Sequence, residues 1–160
     1  MDIRNFFGGN TKNKQIKFID LFCGIGSFHY SFKKLGWKCV MASDICEPAR
    51  NTYEKNHNLK PQGDICEIDP NKIEPYDILT AGFPCQPFSQ AGHRKGFNDE
   101  KDNRGTMFSQ VMKFVKINKP RFVILENVGH LLKHDDGKSF QRIKKELENE
   151  NYKVTYKILK

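Results

Sequence analysis

Ile16-Lys17-Phe18-Ile19-Asp20-Leu21-Phe22-Cys23-Gly24-Ile25-Gly26 is the stretch from which the fold is read. An apolar run, interrupted by Asp20, stops at two glycines, and Phe28, Phe32 and Leu35 then recur at helical spacing up to Gly36. This is the pattern of a strand, a glycine turn and a helix. Glycines let a backbone approach a ligand closely, and a helix start adds unpaired amides beside it. His29 stands where a dinucleotide fingerprint carries its third glycine, which argues against a nicotinamide enzyme and toward a nucleoside ligand without a pyrophosphate.

Outward from that turn, Trp37 to Ala42 reads as a second strand. It leads to Asp44, 20 residues beyond Gly24, where nucleotide-binding α/β folds place the carboxylate that holds ribose hydroxyls. Asp44 also reads as a cap for the next helix, in which Pro48 suits the first turn and Ala49, Tyr53 and His57 share a face. Gly63-Asp64-Ile65 reads as the end of a third strand, with Asp64 accepting from an exocyclic amine or capping a turn. Tyr76 to Ala81 is a buried strand that stops at Gly82-Phe83-Pro84-Cys85-Gln86-Pro87-Phe88-Ser89. Two prolines bracket Cys85 and Gln86, so the ladder cannot continue and Cys85 is held in a stiff segment at a strand's carboxyl end. That makes it a candidate nucleophile; its ordinary alternative is a small apolar side chain.

Gln90 to Asn103 is a long polar loop holding His93, Arg94, Lys95 and Gly96. It reads as a lid closing on phosphates, or as a plain solvated loop. Phe108, Val111, Met112 and Val115 mark a helix ended by Lys119-Pro120, and Arg121 to Leu125 is a strand delivering Glu126-Asn127 to the same sheet edge as Cys85. Glu126 there is an acid or base partner for the thiol, or a surface carboxylate. His130 and His134 read as satisfied loop histidines. Ser139 to Asn149 is a further helix, and Tyr152 to Leu159 alternates as a sixth strand, with lysines at 153 and 157 marking an edge.

The 160 residues make one domain, with residues 1–15 a polar, flexible tail and 16–160 the folded part. Lys and Arg number 27 against 19 Asp and Glu, a net charge of +8 that suits a polyanionic partner such as nucleic acid. No apolar run approaches a membrane span and no signal peptide is evident, so a cytoplasmic or nuclear setting is expected. Five cysteines, odd in number and without C-x-x-C spacing, argue against a disulfide framework and a zinc site alike.

Taken in order, Phe18 to Gly26, Asp44, Gly63-Asp64-Ile65, Gly82 to Gln86, Arg104-Gly105-Thr106-Met107-Phe108 and Glu126-Asn127-Val128 resemble the motifs of the cytosine-5 DNA methyltransferase family from Phe18 to Lys160. The resemblance implies an α/β, Rossmann-like S-adenosylmethionine-dependent methyltransferase fold. It implies a pocket in which Phe22 stacks on the adenine, Gly24 and Gly26 give the methionine moiety room, Asp44 binds the ribose, and Asp64 with the Ile65 amide reads the adenine. Ile45, Gly82, Pro84 and Met107 complete that pocket. Cys85, Glu126 and Asn127 become the catalytic set. Cys85 adds at carbon 6 of cytosine, and Glu126 holds or protonates ring nitrogen 3. Gln86, Ser89, His93, Arg94, Lys95 and Arg104 become DNA contacts around a flipped-out base, in double-stranded DNA of a restriction-modification setting, with no metal.

The motifs such enzymes carry further along are not in this sequence. They are an arginine that assists at the base, a target-recognition domain, a seventh strand lying antiparallel between the fifth and sixth, and a C-terminal helix that completes the cofactor pocket. The fold is therefore expected to be incomplete, and a second polypeptide is the expected partner. An RNA-directed cytosine-5 methyltransferase and a non-catalytic cofactor-binding fragment are the alternatives.

Overall fold

A computed structural model describes residues 15–84 and 107–159. Eight regular elements occur among them in the order β1 (Lys17–Leu21), α1 (Ser27–Lys33), β2 (Lys38–Ser43), α2 (Glu47–His57), β3 (Ile78–Ala81), α3 (Met107–Asn118), β4 (Phe122–Leu125) and α4 (Lys138–Asn149). The strands form one sheet of order β2-β1-β3-β4, and every pairing is parallel. A parallel sheet needs cover on both faces, which is why these strands read as near-continuous apolar runs.

The period of two along β1 and β3 sorts the side chains into layers, and an irregularity in β2, where Phe18 pairs with Cys39 but Ile19 with Met41, switches that strand's faces. Ile19, Leu21, Met41, Leu79 and Ala81 point to one face and pack with Phe108, Val111, Met112 and Val115 of α3 and with Ile143 and Leu147 of α4. Phe18, Cys39, Ala42 and Ile78 point to the other and pack with Phe32 of α1, Trp37, and Tyr53 of α2. Phe18 sits edge-on to Phe32 at 5.0 Å between ring centroids, and Phe32 lies 4.9 Å from Trp37. Burying each such ring contributes about 2–3 kcal/mol. Helix α2 ends on Asn58 in the left-handed conformation, a C-terminal stop that asparagine tolerates.

Two expected strands are not strands. At 63–65, only Gln62 bridges to Ser43, after which the chain enters a 3₁₀ turn over Ile65–Glu67. The Asp64 carboxylate accepts the Cys66 amide, offering the backbone a turn in place of a ladder, and Pro61 has no amide to give. The segment 152–159 runs without ladder partners among the described residues. Its alternate side chains pack elsewhere. The Tyr152 hydroxyl donates to the Pro120 carbonyl at 2.6 Å, and Tyr156 packs edge-on to Phe140 of α4 at 4.9 Å. A groove of about 830 Å³ separates this segment from β4, whose four residues are all only half-buried.

The order of the strands fixes where a ligand goes. From β1 the chain moves outward to β2, then returns to place β3 on the other side of β1. The crevice at the carboxyl ends of β1 and β3 is therefore the switch point at which open α/β sheets bind ligands.

Candidate functional site

The turn after β1 occupies one wall of that crevice. Phe22 has φ +55°, a left-handed conformation that costs an aromatic residue energy and is found mostly at sites that over-determine it. Gly24 is also left-handed, with open space where a Cβ would project. The turn is pinned to the neighbouring strand end. The Cys23 amide donates to the Ser43 carbonyl at 2.9 Å and the Gly24 amide to Asp44 Oδ2 at 2.8 Å. The other oxygen of Asp44 accepts the Cys46 amide at 2.8 Å. Asp44 is not the cap of α2, whose N-cap is Cys46 with no side-chain cap bond; it turns the chain ahead of that helix and grips the glycine turn. Arg50 of α2 donates to the Asp44 and Ile45 carbonyls at 2.8 and 2.9 Å and fixes their direction.

A repeat in the sequence becomes legible here. Asp44-Ile45-Cys46-Glu47 recurs as Asp64-Ile65-Cys66-Glu67, and in both copies the aspartate accepts the amide two residues on at 2.8 Å. The copies differ in their isoleucines. Ile65 is buried in the core, whereas Ile45 is 74% exposed beside the turn. The backbones meet where the Asp44 amide donates to the Gln62 carbonyl at 3.1 Å.

The other wall comes from β3 and β4. The Glu126 amide donates to the Ala81 carbonyl at 2.9 Å, and the Asn127 side-chain amide donates to the Phe83 carbonyl at 2.8 Å. Gly82 lies between β1 and β4. A Cβ there would stand 3.4 Å from Glu126 Oε2 and 4.0 Å from the Phe22 carbonyl, so the missing side chain leaves room for the carboxylate. Pro84 is exposed beyond Phe83. Cys85 follows it in sequence and lies outside the described residues, as do Gln86, Ser89, His93, Arg94, Lys95 and Arg104. Met107, at the start of α3, is half-buried against the core.

The described cysteines divide by burial. Cys23 and Cys39 are buried, and burial drives both thiols up, Cys39 to about 12. A thiol held neutral is a poor nucleophile, so these two serve packing. Cys46 and Cys66 are exposed, and desolvation raises the Cys66 thiol as well. No cluster of three or more His, Cys, Asp or Glu able to hold a metal occurs among the described residues. His134 is partnered by the Ser139 hydroxyl at 2.7 Å.

The family model for C-5 cytosine-specific DNA methylases matches residues 16–160. The chain belongs to this family. Among relatives of this methylase chain, the Type II methyltransferase M.DsaV of Dactylococcopsis salina is 46% identical over 148 residues, covering 92% of this chain and 41% of that protein. The Type II methyltransferase M.MspI of a Moraxella species is 44% identical over 147 residues, covering 92% of this chain and 35% of its own length. The chain therefore spans less than half the length of these relatives. Two solved structures share the fold. The Dnmt2 methyltransferase of S. pombe matches with a TM-score of 0.57 at 22% identity, covering 82% of this chain and 42% of its own. A putative DNA modification methyltransferase encoded within an E. coli prophage matches with 0.61 at 23%, covering 84% and 38%.

Within this methylase chain, the structure brings Phe22, Gly24, Asp44 and Ile45 together on the β1–β2 side, and Gly82, Glu126 and Asn127 on the β3–β4 side. Asp64 and Ile65 are joined to the first group through Gln62. Sequence reasoning missed Arg50, Asn56 and the repeated tetrapeptide. The repeat is visible as four identical letters in a row, and Asn56 and Arg50 lie on α2 with no spacing that marks them.

Proposed function

We propose that this chain is the cofactor-binding and catalytic part of a DNA (cytosine-5-)-methyltransferase. The observation that carries the reading is the pairing across β3 and β4. Asn127 ties the Glu126 loop to Phe83, two residues before Cys85, and Gly82 clears space for the Glu126 carboxylate. A carboxylate and a thiol are thereby assigned to the adjacent ends of β3 and β4, beside the switch point.

S-adenosylmethionine fits the residues of the opposite wall. An adenosine needs acceptors for its hydroxyls, an apolar face for its purine and bare backbone beside its tail. Asp44 and Asp64 offer carboxylates, Ile45 an exposed apolar face, and Gly24 open space above a turn. When bound, this cofactor supplies an electrophilic methyl group. The chain's own residues do the rest. Carbon 5 of cytosine is a poor nucleophile until the Cys85 thiolate forms a bond to carbon 6 and pushes electron density across the ring. Glu126 holds a proton at ring nitrogen 3, neutralising charge that develops there and selecting cytosine. Loss of the carbon 5 proton and cleavage of the sulfur–carbon bond release the thiolate. The target base must leave the duplex to reach these groups, with Gln86, Ser89, His93, Arg94, Lys95 and Arg104 assigned to the DNA around it.

The partner is double-stranded DNA together with a second polypeptide that carries the DNA-reading surface. The half-buried residues of β4, the last strand of the sheet order among the described residues, and the groove beside them support that assignment, since the outer edge of a sheet is a template for another strand. The test is transfer of labelled methyl groups from S-adenosylmethionine to duplex DNA and to tRNA. Assays run with and without the remaining motifs supplied in trans. Label in duplex DNA only when both polypeptides are present is expected. Label in tRNA alone would overturn the DNA assignment, and label in DNA from the isolated chain would overturn the need for a partner.

A further inference from the structure

The last turn of α2 touches the glycine turn at two points that the proposed mechanism leaves unused. Asn56 Nδ2 donates to the Ile25 carbonyl at 3.2 Å. The His57 ring lies so close beneath Gly26 that a Cβ on that glycine would stand 2.2 Å from Nε2 and 2.5 Å from Cδ2. Gly26 has φ +96°, so its bare backbone is required both by conformation and by this ring. His57 is held from behind. It stacks on His29 of α1 at 4.1 Å with 10° between the planes, and His29 Nδ1 shares a 2.7 Å hydrogen bond with the Tyr53 hydroxyl. The other end of α2 governs the neighbouring strand end, where Arg50 fixes Asp44 and Ile45.

We propose that α2 is a brace for the cofactor turn, and that Asn56 and His57 are positioning residues that hold Ile25 and Gly26 in the conformation that admits S-adenosylmethionine. The inference rests on the cofactor assignment made above for Gly24 and Asp44. The brace works with a neutral imidazole, because a charge on His57 would face the stacked His29 and Lys33 of α1. Tyr53 on its own helix and Cys39 of β2 offer the charge no carboxylate. Asp20 of β1 is the acid of this layer, and it is itself buried and accepts the Thr80 hydroxyl. Burial and Lys33 hold His57 below its usual 6.5, although contacts with the Ile25 and Gly26 backbone oppose them. Acidification is therefore expected to loosen the turn as His57 takes up a proton below that value.

The experiment reads backbone exchange and binding on the chain as it stands. In His57→Ala and Asn56→Ala, hydrogen exchange of the Gly24 and Gly26 amides should quicken by roughly tenfold, while Ile19 and Leu79 in the sheet keep their protection. Calorimetry should show S-adenosylmethionine bound roughly tenfold more weakly by His57→Ala. His57→Phe, which keeps the flat ring, should restore affinity and remove the loss that the parent shows as pH falls below 6.5. Unchanged exchange at Gly24 and Gly26, or quickening spread equally through the sheet, would overturn the brace. So would a Phe variant as weak as the Ala variant. Failure of the parent to bind S-adenosylmethionine would overturn the cofactor assignment alone, since the exchange readout tests the brace without ligand.

Discussion

At the β2 edge of the sheet the chain finishes its own structure. Helices α1 and α2 cover the strand, Gln62 bridges to Ser43 at its end, and most polar groups find partners, His29 with Tyr53, Asp44 with two amides and Arg50 with two carbonyls, while Ser43 Oγ and His57 Nδ1 are buried without one. At the β4 edge it does not. All four strand residues are half-buried, no ladder continues among the described residues, and Tyr156, Ile158 and Leu159 stand exposed across the groove. The first region is the one proposed for the cofactor. The second presents what a strand from elsewhere would cover. Cofactor binding is accordingly expected of the chain by itself, and turnover of a larger assembly.

The largest effect that would break this division is at Cys85. With the remaining motifs supplied, Cys85→Ser should lower methyl transfer by roughly 10³-fold or more, because a hydroxyl at neutral pH supplies almost no nucleophile. Its affinity for S-adenosylmethionine should stay within about twofold of the parent, since Gly24, Asp44 and Ile45, assigned to the adenosine, follow β1 and β2 and not β3. A methylation assay paired with calorimetry reads both. Comparable turnover would make Cys85 structural.

Packing gives the next contrast. Phe18 is fully buried against Phe32 and His29, so Phe18→Ala should cost about 3–5 kcal/mol in urea unfolding. Tyr156, 67% exposed at the open edge, should cost within about 0.5 kcal/mol when cut to alanine. Equal costs would mean that the β4 edge is as finished as the β2 edge. At the pocket itself, Asp44→Ala should weaken cofactor binding by about 1–3 kcal/mol, as calorimetry would show.

Asp20 provides a smaller effect with a definite sign. It is 1% exposed and accepts the Thr80 hydroxyl at 2.8 Å, while its other oxygen has no partner. Burial raises it from 3.8 to about 7. The folded protein holds this proton where the unfolded chain has lost it, so the stability it contributes is full below 3.8 and is lost as pH rises through 7. Asp20→Asn should therefore gain in melting temperature over the parent between about pH 5 and about pH 8. A gain that shrinks with rising pH would contradict the assigned direction.

Much of the fold was legible because its signals are local. The runs 17–21, 38–43, 78–81 and 122–125 are apolar enough to be strands whatever surrounds them, and α3 and α4 show their buried stripes at helical spacing. The segment 63–65 misleads because Asp64 turns the chain with a side-chain hydrogen bond that no periodicity records. At 152–159 the alternation is real. Tyr152 and Val154 do pack inward, yet pairing needs a neighbour at strand distance, and sequence pattern says nothing of neighbours. The site followed the same rule. The spacing of Asp44 to Gly24 points to a link that the structure makes through the Gly24 amide, whereas His57 reads only as a helix-face residue, because its contact with Gly26 depends on how two helices cross. His29, which the sequence marks only as standing in place of a glycine, is buried against His57 and Tyr53.

The central claim, that Cys85 and Glu126 act on one cytosine at the ends of β3 and β4, is tested most directly by covalent trapping. Duplex DNA carrying 5-fluorocytosine keeps its fluorine where a proton should leave, so the thiol adduct cannot be released. The measurement is mass spectrometry of the chain incubated with this DNA, S-adenosylmethionine and the remaining motifs in trans. The account predicts a protein–DNA adduct whose digestion places the oligonucleotide on the peptide containing Cys85, and which is lost in Cys85→Ser. An adduct that persists in Cys85→Ser, or no adduct under conditions where methyl transfer proceeds, would contradict it.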